Sequence, residues 1–365
     1  MKKRFLALLL CCCMAMTGCG STNEIVQETG METTEDETTQ ETSAETDTIQ
    51  SSSREPGLYN TTGEMIKDWE TLLAEGFWRV EGGVLLHGEY EWTDMNEWGE
   101  ELDNNVLAET AKGECKAELI IPDSVTSIGE CAFQDNMSLT SITIPTSVTS
   151  IGEYAFDDCF DLENINIPDS VTSIGEGAFS DCINLTSITI PASVTSIEED
   201  TFVGCYDLTN VTIPDSVTSI GEGAFRACRS LTYIPIPANV TIIEAYTFYG
   251  CYGLTNITIP DNVTSIGEEA FNHCENLLSV EIPSSVTNIG DYAFVNCLNL
   301  MNVTISEGVT SIGEEAFCTC KNLTSIEIPS SVTSIGENAF HAVPLVIYNG
   351  TAEGSPWGAD EVREN

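Results

Sequence analysis

Residues 147–168 read SVTSIGEYAFDDCFDLENINIP, and nine relatives of this stretch accompany it in the chain. Pro122, Pro145, Pro168, Pro191, Pro214, Pro237, Pro260 and Pro283 fall every 23 residues; Ser306 holds the next slot and Pro329 resumes the series. Phe133, Phe156, Phe179, Phe202, Phe225, Phe248, Phe271, Phe294, Phe317 and Phe340 keep the same step, so ten units run without insertion or deletion. A repeat of this period is read before any local motif, because it announces a stacked array.

One unit explains why the array must stack. Leu139, Ile142 and Ile144 end with the period of two expected for a strand. Pro145 stops the strand, having no N–H for the ladder. Val148 and Ile151 make a second apolar edge, and Gly152 allows a turn. Ala155, Phe156 and Cys159 fit a short helical or 3₁₀ turn. The few inward side chains of one unit cannot offset the entropy of ordering its 23 residues, so neighbours are required.

The period also accounts for most cysteines. Cys159, Cys182, Cys205, Cys228, Cys251, Cys274, Cys297 and Cys320 share one slot. A row of thiols at inter-strand spacing reads as a buried column of small hydrophobes. A disulfide needs facing side-chain vectors, and zinc needs convergent ligands. Glu130, Glu153, Glu176, Glu199, Glu222, Glu268, Asp291, Glu314 and Glu337 share another slot, with Ala245 as the exception. This row is read as a solvated acidic edge rather than a calcium site, since no calcium loop is present.

Upstream, Lys2, Lys3 and Arg4 precede an apolar run, Phe5 to Met16, too short for a mature membrane span. Met16-Thr17-Gly18-Cys19 resembles the lipobox of a bacterial lipoprotein signal, which implies cleavage after Gly18 and lipidation of Cys19. Cleavage removes three basic residues and no acidic ones, taking the net charge from -46 to -49. Residues 19–55 are rich in Ser, Thr, Glu and Asp and are expected to be a disordered tether. Met65, Ile66, Trp69, Leu72 and Leu73 lie at helical spacing, with Gly76 placed to end a helix.

With 58 acidic and 12 basic residues, the chain lacks the basic footprint that nucleic acid requires. The same balance opposes docking on an anionic membrane, so membrane attachment is expected only through the N-terminal lipid. The three histidines leave little for imidazole catalysis, and no nucleophile–base–orienter set is apparent. No enzyme activity, catalytic residue, metal or cofactor is expected.

The repeat resembles the BspA-like leucine-rich repeat family of bacterial surface proteins. The resemblance spans about residues 119–346, and FWRVEGGVLLHGEY at residues 77–90 is similar to the hairpin that often opens such arrays. It implies an α/β-type repeat solenoid of ten 23-residue units with a parallel β-sheet along one face. It also implies a cell-surface location and adhesion or protein binding. The expected division is a signal peptide at 1–18, the tether at 19–55, a Trp-rich N-terminal cap of helix plus hairpin at 56–117, the solenoid at 118–346, and a C-terminal cap and tail at 347–365.

Two surfaces are expected to carry binding. Outward strand positions offer Asn164, Asn166, Asn210 and Asn256 beside Thr and Ser, a lattice able to hydrogen-bond backbone or glycan hydroxyls. Between Lys116 and Lys321 the only cations are Arg226 and Arg229, and Tyr206, Arg229 and Tyr252 occupy one slot in three successive units. That register predicts an Arg between two Tyr rings, with Tyr233, Tyr246 and Tyr249 nearby. The expected protein is a monomeric, lipid-anchored surface binder of an extracellular protein or glycan. The alternatives are an envelope spacer without a ligand, or a carbohydrate-binding accessory acting through the N-terminal cap.

Overall fold

The computed structural model describes residues 54–60, 62–87 and 116–364. Cys19, the signal, most of the tether and the Trp92 and Trp98 segment lie outside the described residues. The array is counted in units of 23 residues, with unit 2 at 139–161 and unit 10 at 323–345.

Each unit adds one rung to two parallel ladders. In unit 2 the first rung is Leu139–Thr143, paired in register with Asn164–Asn166 so that Ile142 lies beside Ile165. The second is the two-residue strand Ser150–Ile151, paired with Ser173–Ile174. The sequence supports the first sheet; the second is an addition. It forms because Val148 N–H closes a turn on Pro145 O (3.1 Å) and lays Ser150 and Ile151 along the next unit.

The segment after Gly152 is not the short helical turn expected. Tyr154 and Asp158 adopt φ of 53° and 58°, a left-handed pair that recurs along the array and interrupts any helix. Amides therefore reach into the next unit: Tyr154 N–H to Glu176 O (2.8 Å), Phe156 N–H to Ala178 O (2.8 Å) and Asp158 N–H to Ser180 O (2.9 Å). A unit taken alone would leave these donors unpaired, a cost that stacking removes.

Two columns fill the interior. The phenylalanines from Phe133 to Phe340 stack with centroids 5.0–5.9 Å apart, and Trp78 closes the N-terminal end at 5.3 Å from Phe133. Beside them each slot cysteine donates its thiol to the carbonyl of the preceding unit's Phe, as Cys228 does to Phe202 O at 3.2 Å. Burial pushes the Cys251 thiol up to about 12 and raises the other seven as well.

The glycine slot after the second strand sets how tightly units stack. A Cβ on Gly221 would lie 2.5 Å from Glu199 N, and one on Gly267 would lie 2.5 Å from Ala245 N. Glycine there also lets its amide reach the preceding unit, as Gly221 N–H does to Ile197 O (2.8 Å). Units 4 and 6 carry Glu198 and Glu244 in this slot. Among the described residues, no such bond links Glu198 to Ile174 or Glu244 to Ile220. Both sheets stop at the same two steps. Asn164–Asn166 and Ser187–Thr189 fall in different sheets, as do Ser219–Ile220 and Ile242–Ile243. The Phe spacing is 5.6 Å for Phe179–Phe202 and 5.9 Å for Phe225–Phe248, the latter matched at Phe317–Phe340 where both sheets continue. Pro235 adds to the second interruption by lacking an N–H. Between units 5 and 6 the turn-side bonds persist, including Phe225 N–H to Thr247 O (3.0 Å).

A direct expectation follows from this slot. Glu198→Gly and Glu244→Gly should let the second ladder close across each step. The regained hydrogen bonds, about 1 kcal/mol each, exceed the roughly 0.5–1 kcal/mol that glycine loses in entropy. Amide exchange at Thr195, Glu198, Thr241 and Glu244 should be fast in the natural chain. At the Thr195 and Thr241 amides, and at the new glycines, it should slow at least tenfold in the variants; unchanged exchange would remove the steric explanation.

The ends are closed by separate elements. β1 (Gly57–Asn60) runs antiparallel to β5 (Ala117–Ile120), the first rung of the first sheet. β2 (Met65–Asp68) covers the other edge of β1. The helix therefore spans only Trp69–Ala74; Met65 and Ile66 belong to β2, because the edge of β1 captures them. Asp68 caps the helix by accepting from Thr71 N–H (2.8 Å). At its other end Gly76, at φ +80°, donates to Leu73 O (3.1 Å) and Phe77 to Leu72 O (3.1 Å), a Schellman closure. The hairpin of β3 (Trp78–Glu81) and β4 (Val84–His87) turns through Gly82 and Gly83, both at positive φ, and β4 starts the second ladder beside Ser127–Ile128. At the far end Leu345–Tyr348 extends the first sheet and pairs with Glu361–Arg363, whose charges blunt the last edge.

Candidate functional site

The residue that follows the cysteine slot occupies the rim of the turn side. The thiol is drawn inward, so the next side chain is turned out. This rim slot holds Met137, Phe160, Ile183, Tyr206, Arg229, Tyr252, Glu275, Leu298 and Lys321 in successive units, all partly or largely exposed. The rim is thus a ridge of large side chains. Only Tyr206, Arg229 and Tyr252 of this slot were expected at a site; its apolar members stand in the same register at 137, 160 and 183.

Two columns of cation and ring stand side by side where unit 5 meets unit 6. Arg229 Cζ lies 4.0 Å from the Tyr206 centroid and 5.8 Å from that of Tyr252. Arg226 Cζ lies 5.3 Å from the Tyr249 centroid and 5.8 Å from that of Tyr246. His273 joins the columns edge-on, 5.9 Å from Tyr249 and 6.3 Å from Tyr252. Asn296 Nδ2 lies 3.2 Å from His273 Nε2, and His273 Nδ1 faces Glu275 Oε1 at 3.7 Å. The sequence places Tyr246 near the stack without giving it a ring partner, and His273, in a variable repeat position, is not among the expected site residues. Tyr233 joins neither column; it projects from the strand face, 53% exposed, bridged to Asn256.

The strand face is flat and polar. Asn164, Asn166, Asn210 and Asn256 all stand exposed at outward positions. The neighbouring row of threonines directs its hydroxyls to the backbone, as Thr209 does to Thr186 O (3.0 Å) and Thr255 to Thr232 O (3.2 Å). Among the described residues, the side chains of Asn164, Asn166 and Asn210 have no partner.

The acidic row lines the second sheet. In the C-terminal half it forms one wall of a shallow groove of about 540 Å³, with Gly290, Gly313 and Gly336 as floor and Asn288, Ser311 and Ser334 opposite. Burial raises the Glu199 carboxyl, and the charges of Glu176, Asp200 and Glu222 add to the shift. Tyr154 donates its hydroxyl to Glu176, which raises the phenol. Nearby, carboxylate oxygens of Asp157, Asp158 and Asp181 lie within 4.8 Å of one another. Burial, with the charges of Asp157 and Asp200, pushes Asp181 up to about 6.

Comparison with known proteins places this geometry in a family. The model described as BspA type Leucine rich repeat region matches residues 111–232 and 218–346, with six copies. A leucine rich cell surface protein from Faecalibacterium prausnitzii is 36% identical over 63% of this chain and 72% of its own, with a TM-score of 0.47. A leucine-rich repeat protein from Bacteroides ovatus is 29% identical over 67% of this chain and 74% of its own, with a TM-score of 0.51. No curated protein matches.

Proposed function

This chain belongs to the BspA-type leucine-rich repeat family of bacterial surface proteins, and on that premise we propose that it is a lipid-anchored binding scaffold without catalytic activity. Cys19 carries the lipid, residues 19–55 hold the folded part away from the membrane, and the array presents its rim and strand face to an extracellular ligand. The division into signal, tether, cap, solenoid and C-terminal cap belongs to the same proposal. Among the described residues no helix is long and apolar enough to cross a membrane. Leucine-rich repeat arrays generally bind proteins, and adhesion to a host or neighbouring cell is the role in which a tethered array of this kind serves.

The observation that carries the reading is the ridge that contains the Tyr206–Arg229–Tyr252 stack. Tyrosine and arginine dominate binding hot spots, since they bring large area at small entropic cost. A spacer needs no such row. The test expresses the full chain in a bacterium and measures adhesion of the cells. Cys19→Ser should release the protein from the membrane fraction. Arg229→Ala with Tyr252→Ala should weaken adhesion about tenfold or more while leaving thermal unfolding within a few degrees. Undiminished adhesion with an intact fold would favour the spacer.

A further inference from the structure

Among the described residues, five of the eight Lys and Arg side chains pair with a carboxylate. Arg54 pairs with Glu118, Lys67 with Glu75, Arg79 with Glu81, Lys116 with Glu163 and Arg363 with Glu361. Arg226, Arg229 and Lys321 do not: among the described residues no carboxylate lies within 4.0 Å of any of them, in a chain with 58 acidic residues, although the charge of Arg226 acts on the Asp200 carboxyl. The faces of Arg226 and Arg229 are covered by Tyr rings. Only the N–H edges of such a guanidinium remain to bond, and that edge matches a carboxylate with two parallel hydrogen bonds. The acidic row is interrupted at this place, where Ala245 stands in the unit that supplies Tyr246, Tyr249 and Tyr252.

Resting on the reading of this cluster as a contact site, we propose that the Arg229 stack receives a carboxylate-bearing sugar of an extracellular glycan. Three features select a saccharide. From unit 2 to unit 10 the outward strand positions are Asn, Thr and Ser, except for the apolar Tyr233 and Pro235 and the acidic Glu281 and Glu327. Such a face has little from which to build the apolar core of a protein interface. It is suited to hydroxyls, which take the amides of Asn210 and Asn256 on either side of Tyr233. Tyr252 and Tyr233 are 37% and 53% exposed, and ring faces of this kind pack against the C–H faces of pyranoses. The net charge of -46 repels polyanions, so the ligand is a sparsely charged oligosaccharide. At physiological salt, charges beyond about 8 Å are largely screened, which limits the reach of the distant carboxylates.

The experiment titrates the full chain with sialyllactose, digalacturonate and lactose by calorimetry. The two acidic probes separate a sialate from a uronate source. At least one should bind about tenfold or more tighter than lactose. Arg229→Lys keeps the charge but loses the planar fork, and should weaken the acidic sugar about tenfold without altering thermal unfolding. Arg363→Lys, in the C-terminal edge strand, should change nothing. Equal binding of lactose, indifference to Arg229→Lys, or no binding of either acidic sugar would overturn the proposal. If a protein ligand is then lost on Arg229→Ala, the contact site stands and only the saccharide is wrong. If Arg229→Ala affects no ligand, both fail.

Discussion

Raising the pH from 8 to 10.5 is expected to unfold the array, and the cysteine column is the reason. The eight slot thiols are fully buried and each donates to a Phe carbonyl, so their folded-state values lie well above that of a free thiol. A thiol is neutral when protonated, so its raised value means that the fold holds the proton which the unfolded chain releases. The stabilisation is complete below an unfolded value of about 8.5–9 and declines as pH climbs towards the folded one. For Cys251 and Cys320 that upper limit is about 12. Each thiol then costs about 1.4 kcal/mol per pH unit, and eight together about 11 kcal/mol per unit. An entire domain is ordinarily stable by about 5–15 kcal/mol. Urea titrations at pH 7.5, 9 and 10 should show a plateau followed by a steep fall. Replacing Cys182, Cys205, Cys228 and Cys251 by Ala should halve the alkaline slope. Stability that stays level through pH 10.5, or a slope indifferent to those four thiols, would rule the column out as its source.

The second large effect concerns the interior ring stack at a step that no sheet crosses. Phe248 is fully buried, 5.9 Å from Phe225 and 5.3 Å from Phe271. Phe248→Ala should cost about 3–5 kcal/mol from lost burial and the cavity left behind. Its consequence should exceed that of Phe294→Ala, although both remove the same ring. Around Phe294 both sheets are continuous, with Val280 beside Val303 and Ile289 beside Ile312. Between units 5 and 6 no strand pairing crosses among the described residues. Coupling there rests on the rings, the turn bonds and the Arg–Tyr columns. In a quasi-one-dimensional array, a weakened interface separates neighbouring blocks into independent transitions. Calorimetry of Phe248→Ala should therefore resolve two transitions where Phe294→Ala gives one. Adding Glu244→Gly should merge them again. A single transition for both Phe variants would mean that the interrupted sheets do not weaken the step.

Much of this was legible in the sequence because the array is translational. Once the period of 23 is known, residues 23 apart are neighbours, and the stacking of Phe225 on Phe248 or Arg229 on Tyr252 follows from counting. The inward strand positions follow from period-two alternation. The partners of Arg226 were less accessible: Tyr249 is in its register, whereas Tyr246 and His273 reach the cluster through backbone turns that counting does not describe.

The cap shows the opposite limit. Helical spacing placed Met65 and Ile66 in a helix, yet β1 recruits them as a strand and Asp68 starts the helix three residues after Met65. A five-residue apolar pattern carries no information about an unpaired edge nearby.

Sequence alone therefore determined the repeat, its register, the strand that begins each unit and the columns of Phe, Cys and Arg–Tyr, since all of these depend only on periodicity. The tertiary structure decided the rest: the second sheet, the left-handed pairs at positions such as Tyr154 and Asp158, and the two steps where pairing stops. Glu198 and Glu244 are visible in the sequence as departures from glycine. That they interrupt the sheets is not, because it depends on where a Cβ points, and a neighbouring backbone about 2.5 Å away is a property of the packed fold.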